Sequence, residues 1–198
     1  MAEATEKRIG GQALESAETA RAVAELSDVI ARAADAVIEA LSRGNRVYTF
    51  GNGGSAADAE HFACELAGRF RLSRPAYAVE ALTTNSPTLT AIANDYGFDQ
   101  VFARQIQGRM KRGDVAIGFS TSGRSLNVLE AMRAARAEGI AVIGLTGAAP
   151  CPMDELADIL IKIPSSDTPR VQEGQMLAVH IICDLVEAEI ERRRAAKK

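Results

Sequence analysis

The chain has 198 residues, 47% of them hydrophobic and 25% charged, with a formal net charge of −3. That length suits one domain, and the mild acidity leaves no basic footprint for nucleic acid. No run of about 18 apolar residues is present, so no membrane-spanning helix is expected, and the opening MAEATEKRIGG lacks the apolar core of a signal peptide. Three cysteines, Cys64, Cys151 and Cys183, lie far apart with no C-x-x-C spacing. An odd, scattered set fits a reduced compartment, and the expected location is the cytoplasm.

In chain order, Leu26, Ile30, Ala33, Val37 and Leu41 recur at helical steps, and the spacing predicts a long helix over 14–42 stopped by Gly44. Arg46 to Phe50 reads as a strand. A helix over 56–66 follows, with Ser55 as N-cap and Asp58 in its first turn. Tyr77 to Leu82 reads as a second strand, and Ser86-Pro87 as the cap and first position of a helix to about Ala93. Asn94-Asp95-Tyr96-Gly97 breaks that helix, and helical spacing resumes over 98–110. Val115 to Phe119 is an apolar strand, 126–137 an amphipathic helix, and IAVIGLT the most apolar strand, as suits the middle of a parallel sheet. ADILIKIP is a further strand. Pro169 opens a last helix running to about Arg192, and the basic residues 193–198 read as a solvated tail. Strands and helices alternate from residue 46, which predicts one three-layer α/β domain over 1–198: a parallel sheet flanked by helices, with the long N-terminal helix added.

Ligands of such sheets bind at the C-terminal ends of the strands. Two strand-to-helix junctions there suit an anion. The first is Gly51-Asn52-Gly53-Gly54-Ser55. The second, Ser120 to Ser125, carries hydroxyls on Ser120, Thr121, Ser122 and Ser125, with Gly123 free to turn. Neither is a Walker A or a dinucleotide fingerprint. Arg124, inside the second loop, either adds charge to it or faces solvent, and solvent is the expectation.

His61 and Glu65 stand at i and i+4 on the helix that starts at the first loop, so they share a face. The other histidine, His180, lies in the last helix, with Gln172 and Met176 at four-residue steps before it and Glu173 nearly in line. Two imidazoles, a carboxylate and an amide form a set able to ligate a metal. Glu65 and His180 are equally an acid/base pair. A satisfied core histidine and a surface glutamate would have the same spacing.

Four stretches, GNGGSAADAEHFACELAGRF, AIANDYGF, GDVAIGFSTSGRSLNV and DTPRVQEGQMLAVHIICDLVE, closely resemble the phosphoheptose isomerases of the sugar-isomerase (SIS) family. The resemblance covers about residues 10–190. It implies a flavodoxin-like SIS domain assembled as a homotetramer, a sugar-phosphate substrate, and zinc, one per subunit. It implies conversion of sedoheptulose 7-phosphate into D-glycero-D-manno-heptose 7-phosphate, the first step toward nucleotide-activated heptose. By the same resemblance Asn52, Gly53 and Gly54 contact the sugar, Ser120, Thr121, Ser122 and Ser125 hold the phosphate, and Asn94 and Asp95 add substrate contacts. His61, Glu65, Gln172 and His180 match the metal ligands, Glu65 and His180 the catalytic pair, and Arg69 a residue that reaches a neighbouring site.

Two other classes stay open on these grounds. One is a non-catalytic SIS protein that binds a partner such as a replication initiator, which need not keep the acid and base. The other is an isomerase of a different sugar phosphate, separable only by a substrate panel.

Overall fold

The structure, a computed structural model, describes residues 2–196. Five strands form one sheet: β1 (Val47–Phe50), β2 (Val79–Ala81), β3 (Val115–Phe119), β4 (Ala141–Gly147) and β5 (Ile159–Ile163). All neighbours pair in parallel, in the order β2-β1-β3-β4-β5. The helices are α1 (Ala2–Val23), α2 (Ser27–Ser42), α3 (Gly54–Ala67), α4 (Ser86–Tyr96), α5 (Ala103–Arg109), α6 (Leu126–Ala137), α7 (Met153–Leu156) and α8 (Thr168–Ala195). The three-layer, flavodoxin-like architecture matches the expectation.

The period-two alternation of strands splits the core in two. Val115, Ile117 and Phe119 of β3 face a cluster with Val23, Ile30, Val37, Phe62, Leu66, Val179 and Ile182, under α1, α2, α3 and α8. Ala116, with Tyr48 and Phe50 of β1, faces Val101, Ile106, Val128, Met132 and Met153 under the α4–α7 layer. Thus α3, which follows β1, crosses on one face and α6, which follows β3, on the other. The adjacent ends of β1 and β3 form the crevice where such sheets bind ligands.

Several element ends differ from expectation. The N-terminal helix starts at Ala2, passes Gly10 and Gly11 at a cost of about 1 kcal/mol each, and breaks at a 3-10 turn over Ala24–Leu26. The turn re-aims the chain so that Thr19 and Val23 of α1, and Ile30, Ala33 and Val37 of α2, are buried on two separate helices. Arg170 helps hold the passage, its Nη1 donating to the Gln12 carbonyl at 2.8 Å. The second strand is shorter than expected because Tyr77 N–H turns away to the Leu66 carbonyl. The cap of α4 is Asn85, whose side chain accepts from Thr88 N–H at 3.1 Å, so Ser86 lies inside the helix. That helix continues through Asn94 and Asp95 to Tyr96 and stops at Gly97, with φ +91°. The predicted helix over 98–110 is a 3-10 turn at Phe98–Gln100 followed by α5, and α7 is an element the sequence pattern does not announce. The last helix carries on to Ala195 through Arg193, paired with Glu39 and Glu189, and the exposed Arg194, paired with Glu191, so residues 193–195 are ordered helix rather than a frayed tail. Residues 197–198 lie outside the described residues.

Candidate active site

The first loop is shaped by glycines. A Cβ at Gly51 would lie 2.5 Å from the Ser55 carbonyl oxygen. Gly53 adopts φ +54°, ψ −121°, a conformation only glycine takes readily. It serves as N-cap without a side-chain hydrogen bond, so α3 begins at Gly54. Ser55 is buried in the first turn and is not the cap. Asp58 falls beyond that first turn, again against expectation.

Asn52 joins this loop to the next. Its amide and that of Asn127 exchange two hydrogen bonds, both 2.8 Å, across the crevice. Asn127, buried in the first turn of α6, was not among the expected site residues, and a polar residue there in an otherwise apolar turn is its only sequence signal.

The second loop is compact. Ser120 Oγ donates to Ser125 Oγ at 3.1 Å, Gly123 N–H bonds the Ser120 carbonyl, and Ser122 Oγ accepts from Arg124 N–H. Ser125 caps α6 through its backbone, with Val128 and Leu129 N–H on its carbonyl. The earlier N–H groups of that helix are free in the usual way of helix starts. The turn after β4 braces the loop from behind: Gly147 N–H reaches the Thr121 carbonyl, and Cys151 Sγ sits 2.2 Å from where a Gly123 Cβ would be. Arg124 is exposed, as expected, and donates from Nη2 to the Pro150 carbonyl at 2.8 Å.

Helices α3 and α8 assemble the titratable groups. His61 Nε2 lies 3.0 Å from Glu65 Oε1 and 3.3 Å from His180 Nε2. The three side chains present ligand atoms all within 4.8 Å of one another. A tetrahedral zinc with bonds of ~2.0–2.2 Å sets its ligands about 3.4 Å apart, so spacing and donor chemistry both fit a metal ion. Gln172 stands one helical stretch earlier, its amide Nε2 2.0 Å from where a Gly54 Cβ would be, and among the described residues it makes no hydrogen bond with the three. Glu173 is drawn off by Arg170 at 2.6 Å and takes no part.

Surrounding electrostatics favour imidazole and carboxylate chemistry over thiol chemistry. Burial pushes the Cys64 and Cys183 thiols up, and the charge of Glu65 adds to the rise. Burial also pushes Asp58 up to about 6, against the pull of His61, and its Oδ2 has no hydrogen-bond partner among the described residues. The Phe70 ring packs on His180 with centroids 5.8 Å apart, a contact not anticipated from the sequence.

Not every expected residue joins. Asn94 and Asp95 are exposed at the end of α4, bonded to each other at 2.8 Å and to none of the cluster. Arg69 is exposed beside Phe70 and has no hydrogen bond or ion pair to the cluster among the described residues. The side chains of His61 and Glu65 are 40% and 23% exposed, so this single chain leaves the site open on one side.

A hydroxyl-rich loop at the switch point of a parallel sheet, with a metal-type cluster between two of its helices, suits a sugar-phosphate type of domain, and residues 14–147 match the family model described as the SIS domain. Phosphoheptose isomerase of Burkholderia pseudomallei (strain 1710b) is 48% identical over 161 residues, 81% of this chain and 82% of that protein. The phosphoheptose isomerase of Geobacter sulfurreducens is 46% identical over 183 residues, 92% and 94% of the two chains. The solved structure of phosphoheptose isomerase GmhA from Neisseria gonorrhoeae superposes with a TM-score of 0.88 at 37% identity, covering 93% of this chain and 99% of that one. The chain belongs to the phosphoheptose isomerases of the SIS family.

Proposed function

We propose that this chain is the aldose–ketose isomerase that converts sedoheptulose 7-phosphate into D-glycero-D-manno-heptose 7-phosphate. The observation that carries the reading is the meeting of His61, Glu65 and His180, from two helices, α3 starting at the first loop. Relatives called phosphoheptose isomerase over four-fifths or more of both chains support it.

In this reading Ser120, Thr121, Ser122 and Ser125, with the free N–H groups of α6, hold the phosphate and so place C1 and C2 at the cluster. Asn52, Gly53, Gly54 and Ser55 line the sugar, and Asn94, Asp95 and Arg69 complete contacts when subunits meet. Glu65 takes a proton from C1 of the ketose while His180 protonates O2, giving the enediol. His180 then takes the proton from O1 as Glu65 returns one to C2, giving the aldose. Glu65 Oε1 faces His61, and Oε2, which makes no hydrogen bond among the described residues, is the oxygen left for the proton. Zinc held by His61, Glu65 and His180, with Gln172 as fourth ligand, would polarise the reacting oxygens.

The open side of the site and the exposed apolar Leu72, Ile181 and Leu185 support assembly with further copies, read here as a homotetramer, and the expected location is the cytoplasm. Among the described residues no helix is long and apolar enough to cross a membrane.

The test is turnover of sedoheptulose 7-phosphate followed by NMR, as purified, after chelation verified by metal analysis, and with zinc restored. Chelation should abolish turnover and zinc should restore it. Glu65→Gln should lower kcat by about 10²–10⁴-fold; a variant keeping more than a tenth of wild-type kcat removes Glu65 from its role. Absence of turnover in folded, zinc-loaded protein would overturn the enzyme assignment.

A further inference from the structure

Behind the cluster, the segment that leaves α3 is held by a buried ion pair. The side chains of Arg74 and Glu187 are 0% and 2% exposed and meet at 2.8 Å. Glu187, on α8, also accepts the backbone N–H groups of Phe70, Arg71 and Leu72 at 3.1, 2.7 and 2.7 Å. Arg74 donates from Nη1 to the carbonyls of Leu66, Gly68 and Pro75 and from Nη2 to that of Glu65, and its guanidinium lies over the Tyr77 ring at 3.8 Å. Burial alone would raise the Glu187 carboxyl, but the three N–H groups and Arg74 outweigh it and hold the group below the usual carboxylate range.

Such a pair gives little stability over a well-packed apolar replacement. What it supplies here is shape. Three consecutive N–H groups aimed at one carboxylate bend residues 70–72 into an arch, and the arch delivers the Phe70 ring to His180. The two rings lie 5.8 Å apart with planes at 32°. On the Phe70 ring also lies the Arg71 guanidinium, 5.4 Å from the centroid, itself held by Asp184 at 3.1 Å. An imidazole has a broad torsional well about its outer bond. With Phe70 packed on it, the His180 ring keeps the setting that points Nε2 at His61.

We propose that Glu187 and Arg74 are positioning residues for the active site, acting through the Phe70 ring to fix the plane of the His180 imidazole. The proposal rests on the reading of His180 as a working group of an isomerase. Partners that orient a ligating or catalytic histidine typically contribute about 10–100-fold in metal affinity or activity.

The experiment compares Phe70→Leu, Phe70→Tyr, Glu187→Gln and His180→Asn for kcat and KM with sedoheptulose 7-phosphate, and for zinc affinity by competition with a chromogenic chelator. Phe70→Leu, which keeps apolar bulk and loses the ring, should lower kcat or zinc affinity about tenfold with KM within twofold. Phe70→Tyr, which keeps the ring, should restore both to within twofold. Glu187→Gln should match Phe70→Leu and add little to it in the double variant, because both act through one contact. If Glu187→Gln does not fold, Arg74→Lys, which keeps the charge and loses the fork of donors, takes its place with the same expected result, and wild-type values for it overturn the proposal. Phe70→Leu within twofold of wild type in both measures overturns the proposal, and so does a loss that Phe70→Tyr does not restore. His180→Asn separates the levels: if it is inactive while Phe70→Leu is normal, the positioning role falls and the isomerase reading stands, whereas an active His180→Asn removes the premise itself.

Discussion

Asp58 sits one turn before His61, with a buried oxygen that has no hydrogen-bond partner among the described residues and a carboxyl pushed up to about 6 by burial. A raised pKa means that the folded chain holds the proton more tightly than the unfolded one. The stabilising contribution is full below the ordinary value of 3.8 and is lost as pH rises through about 6. Asp58→Asn should therefore raise the thermal midpoint of the chelated protein at pH 8 and leave it unchanged near pH 3.5. A scan of midpoint against pH for both proteins checks this, and equal midpoints at pH 8 would refute it. Single residues were unevenly legible in the sequence. His61 and Glu65 are neighbours on any helix, so their pairing follows from spacing alone. His180 joins them from 119 positions away, which no local pattern announces; its chemistry makes it a candidate, and the motif resemblance points to the pairing. Asn127 and Phe70 escaped because an amide and an aromatic ring carry no spacing signal of their own.

At the scale of elements, the five strands and most helices from residue 46 onward are read from periodicity, whereas α7, the split of 98–110 into a 3-10 turn and α5, and most element ends are not. Helix starts depend on one backbone conformation. Gly53 starts α3 by adopting angles closed to side chains, and Asn85 displaces Ser86 as cap although both residue types are suited to it. The break at 24–26 reflects two buried faces demanded by tertiary packing, not a breaker residue. The loop after β3 offers a direct test of this level. Gly123 has φ +63° and its Cβ position is taken by Cys151 Sγ at 2.2 Å. Gly123→Ala should cost about 1–3 kcal/mol of stability from backbone strain alone and raise KM by weakening phosphate contact, with kcat less affected. Adding Cys151→Ala should recover part of the loss, because the Sγ clash goes while the contacts with Cys151 Cβ at 2.7 Å and Thr146 Oγ1 at 2.9 Å, and the strained φ, remain. Denaturant unfolding and steady-state kinetics on the three variants give the answer; an unchanged KM in Gly123→Ala would detach this loop from phosphate binding.

For the whole molecule, composition and alternation suffice for the parallel three-layer architecture, because a crossover helix between each pair of strands permits little else. The strand order, and with it the crevice between β1 and β3, comes from the fold itself. Metal should matter to the whole fold as well as to chemistry, since an ion that bridges α3 and α8 binds only the folded state. A ligand at about 1,000 times its Kd adds about 4 kcal/mol, so chelation should lower the thermal midpoint by several degrees and zinc should restore it. A midpoint indifferent to chelation, with loss of metal verified, would mean that the ion bridges nothing. The proposed homotetramer predicts a single species of four chains in sedimentation velocity, and a monomer with full turnover would show that one chain closes its own site.

The separation of 119 residues between His61 and His180 also sets an order of events during synthesis. When α3 leaves the ribosome it carries His61 and the Glu65 carboxylate that faces it, but only one of the two imidazoles of the cluster. The third donor arrives only after β3, β4 and β5 have been made and the sheet has brought α8 alongside α3. For the proposed metal, capture is therefore a late event that reports a completed sheet.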